Sequence, residues 1–432
     1  NTGRLMAATI VQSGSYDLTI ATGFLIDAFT LDDPVKGLLD STEFVLDGTT
    51  EFASVIDGAT GISVFRGRRD IGDQFTAGTM SFDLNDTFTG GIFNPFDTQS
   101  PYYDTAQAVP GLAPMRKVVL SREGEELFNG YIVDYNYNFN LGGLDTVSVS
   151  CADDFYLLSQ TYMDEFNVTE QLASARLVAL LALPEVNAFQ LPGEQNIETS
   201  TITLGGAAAY TVPNGTSVAA YTAKINESVQ GRIFIARDGV FTFQDRIGST
   251  LSASVADFHD DGTAIPYDNV GISFEANQVI NRASVTHAGA TSPEIAEDLA
   301  SQGVYFIQTT AISDALVHND TAALDLANYL LVGQPEARYT NVSTLFASLT
   351  DAQRDTVAVL EIGNTVTIEK SFSSGNTITS LAQELAIEGI QHEIDLSTGH
   401  RITLFTSPTT LVFELILDDA VYGTIDTENV LG

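Results

Sequence analysis

The chain has 432 residues, of which 56 are Asp or Glu and 18 are Lys or Arg, for a formal net charge of −38. Nucleic-acid binding draws its affinity from cations that neutralise phosphates, so this composition excludes a protein that grips DNA or anionic lipid headgroups. A length of 432 with 44% apolar residues is more than one ordinary core needs, and roughly three domains are expected.

In chain order, most of the sequence reads as strand. Period-two or β-branched runs bounded by Gly, Asn and Asp recur as GISVFRG (61–67), GTMSFDL (78–84), RKVVLSR (116–122), NGYIVDYNYNF (129–139) and DTVSVSC (145–151). They continue as GRIFIAR (231–237), GVFTFQD (239–245), RASVTHA (282–288), NTVTIEK (364–370) and HRITLFT (400–406). Arg122-Glu123-Gly124 and Arg237-Asp238-Gly239 supply tight turns, the second a good hairpin because Asp-Gly tolerates positive φ.

Helical pattern interrupts the strands in the middle and later. Asn167 with Glu170 three residues on predicts a capped helix running through QLASARLVALLAL and stopped before Pro184. A second spans 217–229 and ends at Gly231. Ser292-Pro293-Glu294 predicts the start of a third over EIAEDLAS, and Asp320 is expected to cap TAALDLANYLL, which Gly333 and Pro335 close. The order is therefore strand-rich, α/β, strand-rich.

An internal repeat links the two strand-rich parts. Gly130-Tyr131-Ile132-Val133-Asp134-Tyr135 followed by Thr146-Val147-Ser148-Val149 has a counterpart in Gly389-Ile390-Gln391-His392-Glu393-Ile394 followed by Ile402-Thr403-Leu404-Phe405. Each is a long hairpin opening on Gly, and each follows a strand. Two related β-barrels flanking the α/β middle are expected.

Candidate chemistry is sparse. Cys151 is the single cysteine, which rules out an intrachain disulfide or a cysteine-based zinc site, and its strand-end setting predicts a small buried hydrophobe. The acidic loop from Asp257 to Asp268 imitates a calcium loop but ends in Asp and meets Pro266 where an exit helix should start, so it reads as a solvated turn. The five histidines form no zinc-spaced pair, and His392 and His400 flank one hairpin, where an exposed or core-edge position is expected. The alternating tyrosines of YIVDYNYNF suit one face of a strand better than a sugar-stacking platform. No apolar run reaches a membrane span's ~18 residues. No motif argues for an enzyme, and no cofactor or metal is expected.

Of the fourteen arginines, Arg66, Arg68 and Arg69 fall within four residues. Where cations are this scarce, such a cluster points to a specific acidic partner, and the planar guanidinium suits a subunit interface. The alternative is pairing with Asp70 or Asp73 in the same turn.

The ordered set of motifs resembles a known family. RGRRD, AGTMSFDLND, FNPFDTQSPY, PMRKVVLSREGEELFNGYIVDY and VSVSCADDFYLL follow one another, then GRIFIARDGVFTFQDR, IPYDNVGISFEANQVINRASVTHAG, LEIGNTVTIE and EGIQHEIDLSTGHRITLFTS. Over about 61–408 this is similar to the tail hub or minor tail proteins of long-tailed viruses of bacteria and archaea, related to phage baseplate hubs. The resemblance implies a mainly β fold with an α/β middle, and two similar β-barrels per chain. It also implies a homotrimer forming a pseudo-six-fold ring at the virion tail tip (baseplate). The implied partners are the tail tube or distal tail protein, the tape measure protein and tip or fibre proteins, with genomic DNA passing through unbound and no stable membrane insertion. The expected divisions are an N-terminal β element over 1–60, a first barrel over 61–160, an α/β middle over 161–270, a second barrel with inserted helices over 271–410, and an extension over 411–432. The rival functions are a virion carbohydrate-binding adhesin and, less favoured, a cell-wall hydrolase.

Overall fold

The computed structural model describes residues 14–26, 49–70, 72–87, 89–105, 108–164, 166–187, 194–206, 212–246, 253–374, 377–395 and 397–408. The expected extension over 411–432 and much of the expected element over 1–60 lie outside the described residues. The first part contributes β1 (Tyr16–Ile26), β2 (Thr49–Ser54), β3 (Ala59–Gly67), β4 (Thr79–Asn85), the short β5 (Tyr103–Asp104) and β6 (Val109–Pro110), then β7 (Lys117–Arg122), β8 (Glu125–Asn138) and β9 (Thr146–Ala152). The β7–β8 turn is the expected one: Glu123 and Gly124 hold φ of 50° and 86°, the paired positive angles of a two-residue hairpin.

The middle opens with α1 (Asp154–Gln160), β10 (Gln171–Leu172), α2 (Ala173–Leu181) and α3 (Pro184–Asn187). It continues with β11 (Gln195–Ile197), β12 (Thr203–Leu204), α4 (Val218–Val229), β13 (Arg232–Ile235) and β14 (Phe241–Gln244). Helix α2 starts later than Asn167 and Glu170 predict, with Leu172 at its N-cap and no side-chain cap, because Gln171 and Leu172 are held extended against Leu204 and Thr203. Helix α4 matches its prediction: Ser217 accepts from the Ala220 amide, and Val218, Tyr221, Thr222, Ile225 and Val229 bury one face. That face joins α1 and α2 in covering the β11-β14-β13 sheet, in a separate core of its own.

The last part holds β15 (Ala256–His259), β16 (Asn269–Ser273), β17 (Arg282–His287), β18 (Glu294–Glu297), α5 (Leu299–Tyr305), β19 (Thr309–Ala315) and α6 (Asp320–Tyr329). It ends with β20 (Arg338–Leu345), α7 (Asp351–Ala358), β21 (Thr365–Ser374), β22 (Thr377–Asp395) and β23 (Gly399–Pro408). Two helix starts differ from expectation. EIAE is the strand β18, drawn into a ladder by Arg282, Ala283, Ser284 and Val285, so the helix begins after Asp298, which accepts from the Ser301 amide. Asn319 rather than Asp320 caps α6. Strands β18-β17-β19 and α6 form a small third core inserted between β16 and β20.

The main sheet runs β16-β20-β23-β22-β3-β4-β9-β8-β7-β1-β2, with β21 on β22 and β15 on β21. Among the described residues neither half closes into a barrel, which corrects the two-barrel expectation; both halves belong to one large sheet over one continuous core. The repeat is nevertheless present. The order β3-β4-β9-β8-β7 in the first half reappears as β16-β20-β23-β22-β21 in the second, each from five strands taken in the same chain order. Helices and the third core are insertions in the second copy.

Register fixes the correspondence between the copies. Lys117 faces Tyr131, which faces Ala152, and one residue past Ile132 the strand bulges at Val133. Thr365 faces Ala386, which faces Ser407, and one residue past Ile387 it bulges at Glu388. Tyr131 therefore corresponds to Ala386 and Asp134 to Gly389. The sequence match of Gly130 to Gly389 was four residues out of step, because period two alone admits any even shift and the bulge decides.

Candidate functional site

The two copies are joined where the C-terminal half of β22 leaves β21 and pairs with β3. Gly389 faces Gly67, Gln391 faces Phe65, Glu393 faces Ser63 and Ile394 faces Ile62. The crossing is tight: a Cβ on Gly67 (φ +90°) would lie 2.2 Å from the Glu388 carbonyl oxygen, and one on Gly389 would lie 2.3 Å from that of Arg68. The bulge that turns β22 onto β3 also points the Glu388 side chain inward.

Glu388 is buried and is the centre of an ionic knot. Arg232 of β13 gives it two bonds, from Nη2 at 2.6 Å and Nε at 3.1 Å; Arg68 gives one from Nε at 2.8 Å, and the Ser407 hydroxyl one at 2.6 Å. Burial raises the Glu388 pKa, but the Arg232 and Arg68 charges and these bonds outweigh it and hold the carboxyl down at about 2. Beside it, fully buried Arg66 donates from Nη1 to Glu361 at 2.6 Å, and the other Glu361 oxygen accepts from the Arg237 amide at 2.8 Å. One cluster thus ties the first half, the middle and the second half together.

The structure divides the arginine triplet. Arg66 and Arg68 find carboxylates about three hundred positions away in their own chain. Neither ion-pairs with Asp70 or Asp73; Arg68 reaches the Asp73 carbonyl. Arg69 is exposed and lies over the Phe65 and Phe405 rings, 5.1 and 5.6 Å from their centroids. No sequence signal marks Glu388, Glu361 or Arg232 as partners, since the knot depends on a bulge and on packing of the middle against both halves.

Behind the seam, the core holds a second polar group that runs against expectation. His392 and His400 are both buried, their ring nitrogens 3.0 Å apart, and His400 Nδ1 lies 2.8 Å from the Tyr16 hydroxyl. They are not at a core edge because β22 and β23 run through the middle of the sheet, with Tyr16 and Phe346 laid over them. Cys151 is buried as expected, and burial raises its thiol pKa. In the calcium-like loop, Asp260 pairs with Lys370, Asp261 accepts from Thr263, and Asp268 pairs with Arg401. The Tyr135 and Tyr137 hydroxyls donate inward to the Phe93 carbonyl and to Asp86, so these tyrosines brace the strand instead of forming a platform.

The opposite face of the sheet carries small polar side chains. Across β8, β9, β4, β3, β22 and β23 it presents Asn136, Ser148, Ser81, Ser63, Gln391 and Thr403, with carboxylates at Asp83, Asp134 and Glu393. Arg401 is on this face too, spent on Asp268, and Arg69 covers its aromatic pair. Among the described residues no group of three or more His, Cys, Asp or Glu is placed to hold a metal, and no helix is long and apolar enough to cross a membrane.

A duplicated β unit, fused edge to edge and carrying an α/β domain and a small insertion, defines the class. It is the fold of solved tail proteins. A tail protein from Neisseria meningitidis MC58 superposes with a TM-score of 0.54 at 13% identity, covering 84% of this chain and 94% of that one. The 43 kDa tail protein of prophage MuSo2 from Shewanella oneidensis gives 0.53 at 11% identity, covering 83% and 96%. No family model matches the sequence, and no curated protein matches it.

Proposed function

We propose that the chain is a structural tail hub. Three copies form a pseudo-six-fold ring that adapts a six-fold tail tube to a three-fold tip and lines or closes the DNA channel there. The duplicated five-strand unit carries this reading: a chain with two similar units is what a six-fold arrangement built from three subunits requires. The divisions expected from sequence serve as its parts, with the two β regions forming the ring and the α/β middle outside it. The neighbours are the tail tube or distal tail protein, the tape measure protein and tip or fibre proteins of the same virion.

The polar face of the sheet supports a conduit. Ser, Thr and Asn with an excess of carboxylate repel phosphate without binding it, so DNA slides. Light scattering on the purified chain is expected to give the mass of three chains; a stable monomer or a hexamer would overturn the ring. Arg69, the exposed member of the triplet at the end of β3, is proposed to meet an acidic neighbour stacked on the ring. Arg69→Gln is expected to leave trimer mass and thermal midpoint unchanged and to abolish co-sedimentation with purified tail tube. Undiminished co-sedimentation would remove that role.

A further inference from the structure

The insertion between β16 and β20, residues 274–337, is one-sided in charge. It holds eight Asp or Glu and a single Arg, Arg282, which is spent on Glu297 at 3.3 Å. Within it, residues 299–307, helix α5 and the two that follow, carry no charge at all. Their exposed side is made by Leu299, Ala300, Gly303, Val304, Phe306 and Ile307. Ser301 is buried, and Gln302 turns back to bond the Asn281 carbonyl at 3.0 Å. Leu299, Val304, Phe306 and Ile307 are 71%, 67%, 81% and 58% exposed. An unbroken apolar face of this kind in water marks an interaction surface.

The backbone beneath this face is strained and firmly held. Phe306 closes α5 with φ +60° and ψ −179°, a region that glycine enters freely and an aromatic residue does not. Asn281, fully buried just before β17, imposes it. Its side-chain amide donates to the Phe306 carbonyl at 2.7 Å and to the Ser301 hydroxyl at 3.1 Å, and its side-chain oxygen accepts from the Gln308 amide at 2.8 Å. The Asn281 and Arg282 amides both donate to the Gln308 carbonyl at 3.1 Å. Glycine at 306 would take this conformation without strain, and the phenyl ring, standing in solvent, adds little burial to the fold. Its use therefore lies outside the chain.

We propose that the α5 face, with Phe306 as its anchor, docks a separate protein whose contact segment carries apolar side chains flanked by Lys or Arg. Charge selects this occupant. A second copy of the chain brings another −38 and the same carboxylates, and an anionic bilayer or nucleic acid is repelled in the same way. Cations of the partner would meet Asp298 at the head of α5. They would also meet Glu336, three residues on from Gly333, which packs against Asp298. A ring already fixed by its backbone loses little freedom on binding, which is what an anchoring aromatic needs. The contact does not require the three-fold ring.

The full chain has no Trp, so Phe306→Trp places a single indole fluorophore on the face. The probe is a short amphipathic peptide with leucine along one helical side and lysine on both flanks. At physiological salt it is expected to shift the emission to the blue and to saturate at one peptide per chain. Adding Leu299→Ser and Val304→Ser to the same protein should weaken binding by about tenfold or more, the loss typical of an anchoring apolar cluster. The same peptide with glutamate in place of lysine should give no shift. No shift with the lysine peptide, an equal shift with the glutamate peptide, or an affinity untouched by the two serine changes overturns the proposal. A blue shift with phosphatidylcholine vesicles overturns it too, by assigning the face to lipid. Phe306→Gly separates binding from folding: the thermal midpoint is expected to stay or rise, while the labelled lysine peptide binds more weakly by anisotropy. A lowered midpoint would show that the ring serves the fold, and would also overturn the proposal.

Discussion

Replacing Glu388 by Ala is expected to destabilise the protein by about 3–5 kcal/mol, as breaking a buried ion pair does when charge is left behind. Three observations set the size. The carboxylate is 1% exposed, its partners Arg232 and Arg68 are 9% and 12% exposed, and between them the two guanidinium groups and Ser407 make four bonds to it. Removing it strands two cations in a site that excludes water. The knot also joins all three parts of the chain, so the loss should appear as a single lower urea midpoint rather than as release of one part. A triple change, Glu388→Leu with Arg68→Met and Arg232→Met, is expected to recover most of the loss, because it removes the desolvation cost together with the attraction. A Glu388→Ala protein within 1 kcal/mol of the unmodified one would show that water reaches the knot.

As pH falls below 6.5 the buried histidines should weaken the fold, opposed by Asp153 and Asp154, whose carboxyls burial raises to about 8 and about 6 and which favour the folded state as they protonate. Burial, and then the Arg66 charge, pushes His392 down from 6.5 to about 3; burial, His392 and Arg122 push His400 well below its ordinary value. The unfolded chain binds protons near pH 6.5 and the folded chain does not, so this stability is complete above 6.5 and is lost as pH falls toward about 3. At pH 5 the loss is about 2 kcal/mol for His392, and His400 shifts stability in the same direction. Glu388 adds its own loss lower down, between its ordinary 4.5 and about 2. Urea midpoints at pH 7.5, 6.5, 5.75 and 5 check this. In the His392→Gln/His400→Gln protein the midpoint should fall less between 6.5 and 5 than in the unmodified protein, or rise, because Asp153 and Asp154 then act unopposed. An unchanged slope would assign the acid sensitivity to other groups.

The same two sites show where local chemistry stops being informative. The β7–β8 and β13–β14 hairpins, the Ser217-capped helix and the buried strand-end Cys151 were legible because each depends on neighbours within a few residues: a positive-φ turn, a capping hydroxyl, an alternating run. The duplication was legible as well, since two long hairpins each preceded by a strand leave a pattern in the chain. EIAE was misread because its helical appearance is outweighed by a ladder with residues at 282–285, which no local signal announces.

What the sequence by itself determined was a mainly β chain with an α/β middle, a repeated unit and a large excess of acidic over basic side chains. Tertiary structure decided the rest: the register of the repeat, the fusion of both copies into one sheet, the partners of Arg66 and Arg68, and the burial of His392 and His400. The physical reason is common to these four. A one-residue bulge at Glu388 redirects a strand, places a carboxylate among arginines roughly 150 and 320 positions away, and carries the hairpin into the middle of the sheet. Bulges and long-range ion pairs are set by how whole sheets meet, and the residues that make them look ordinary until they do.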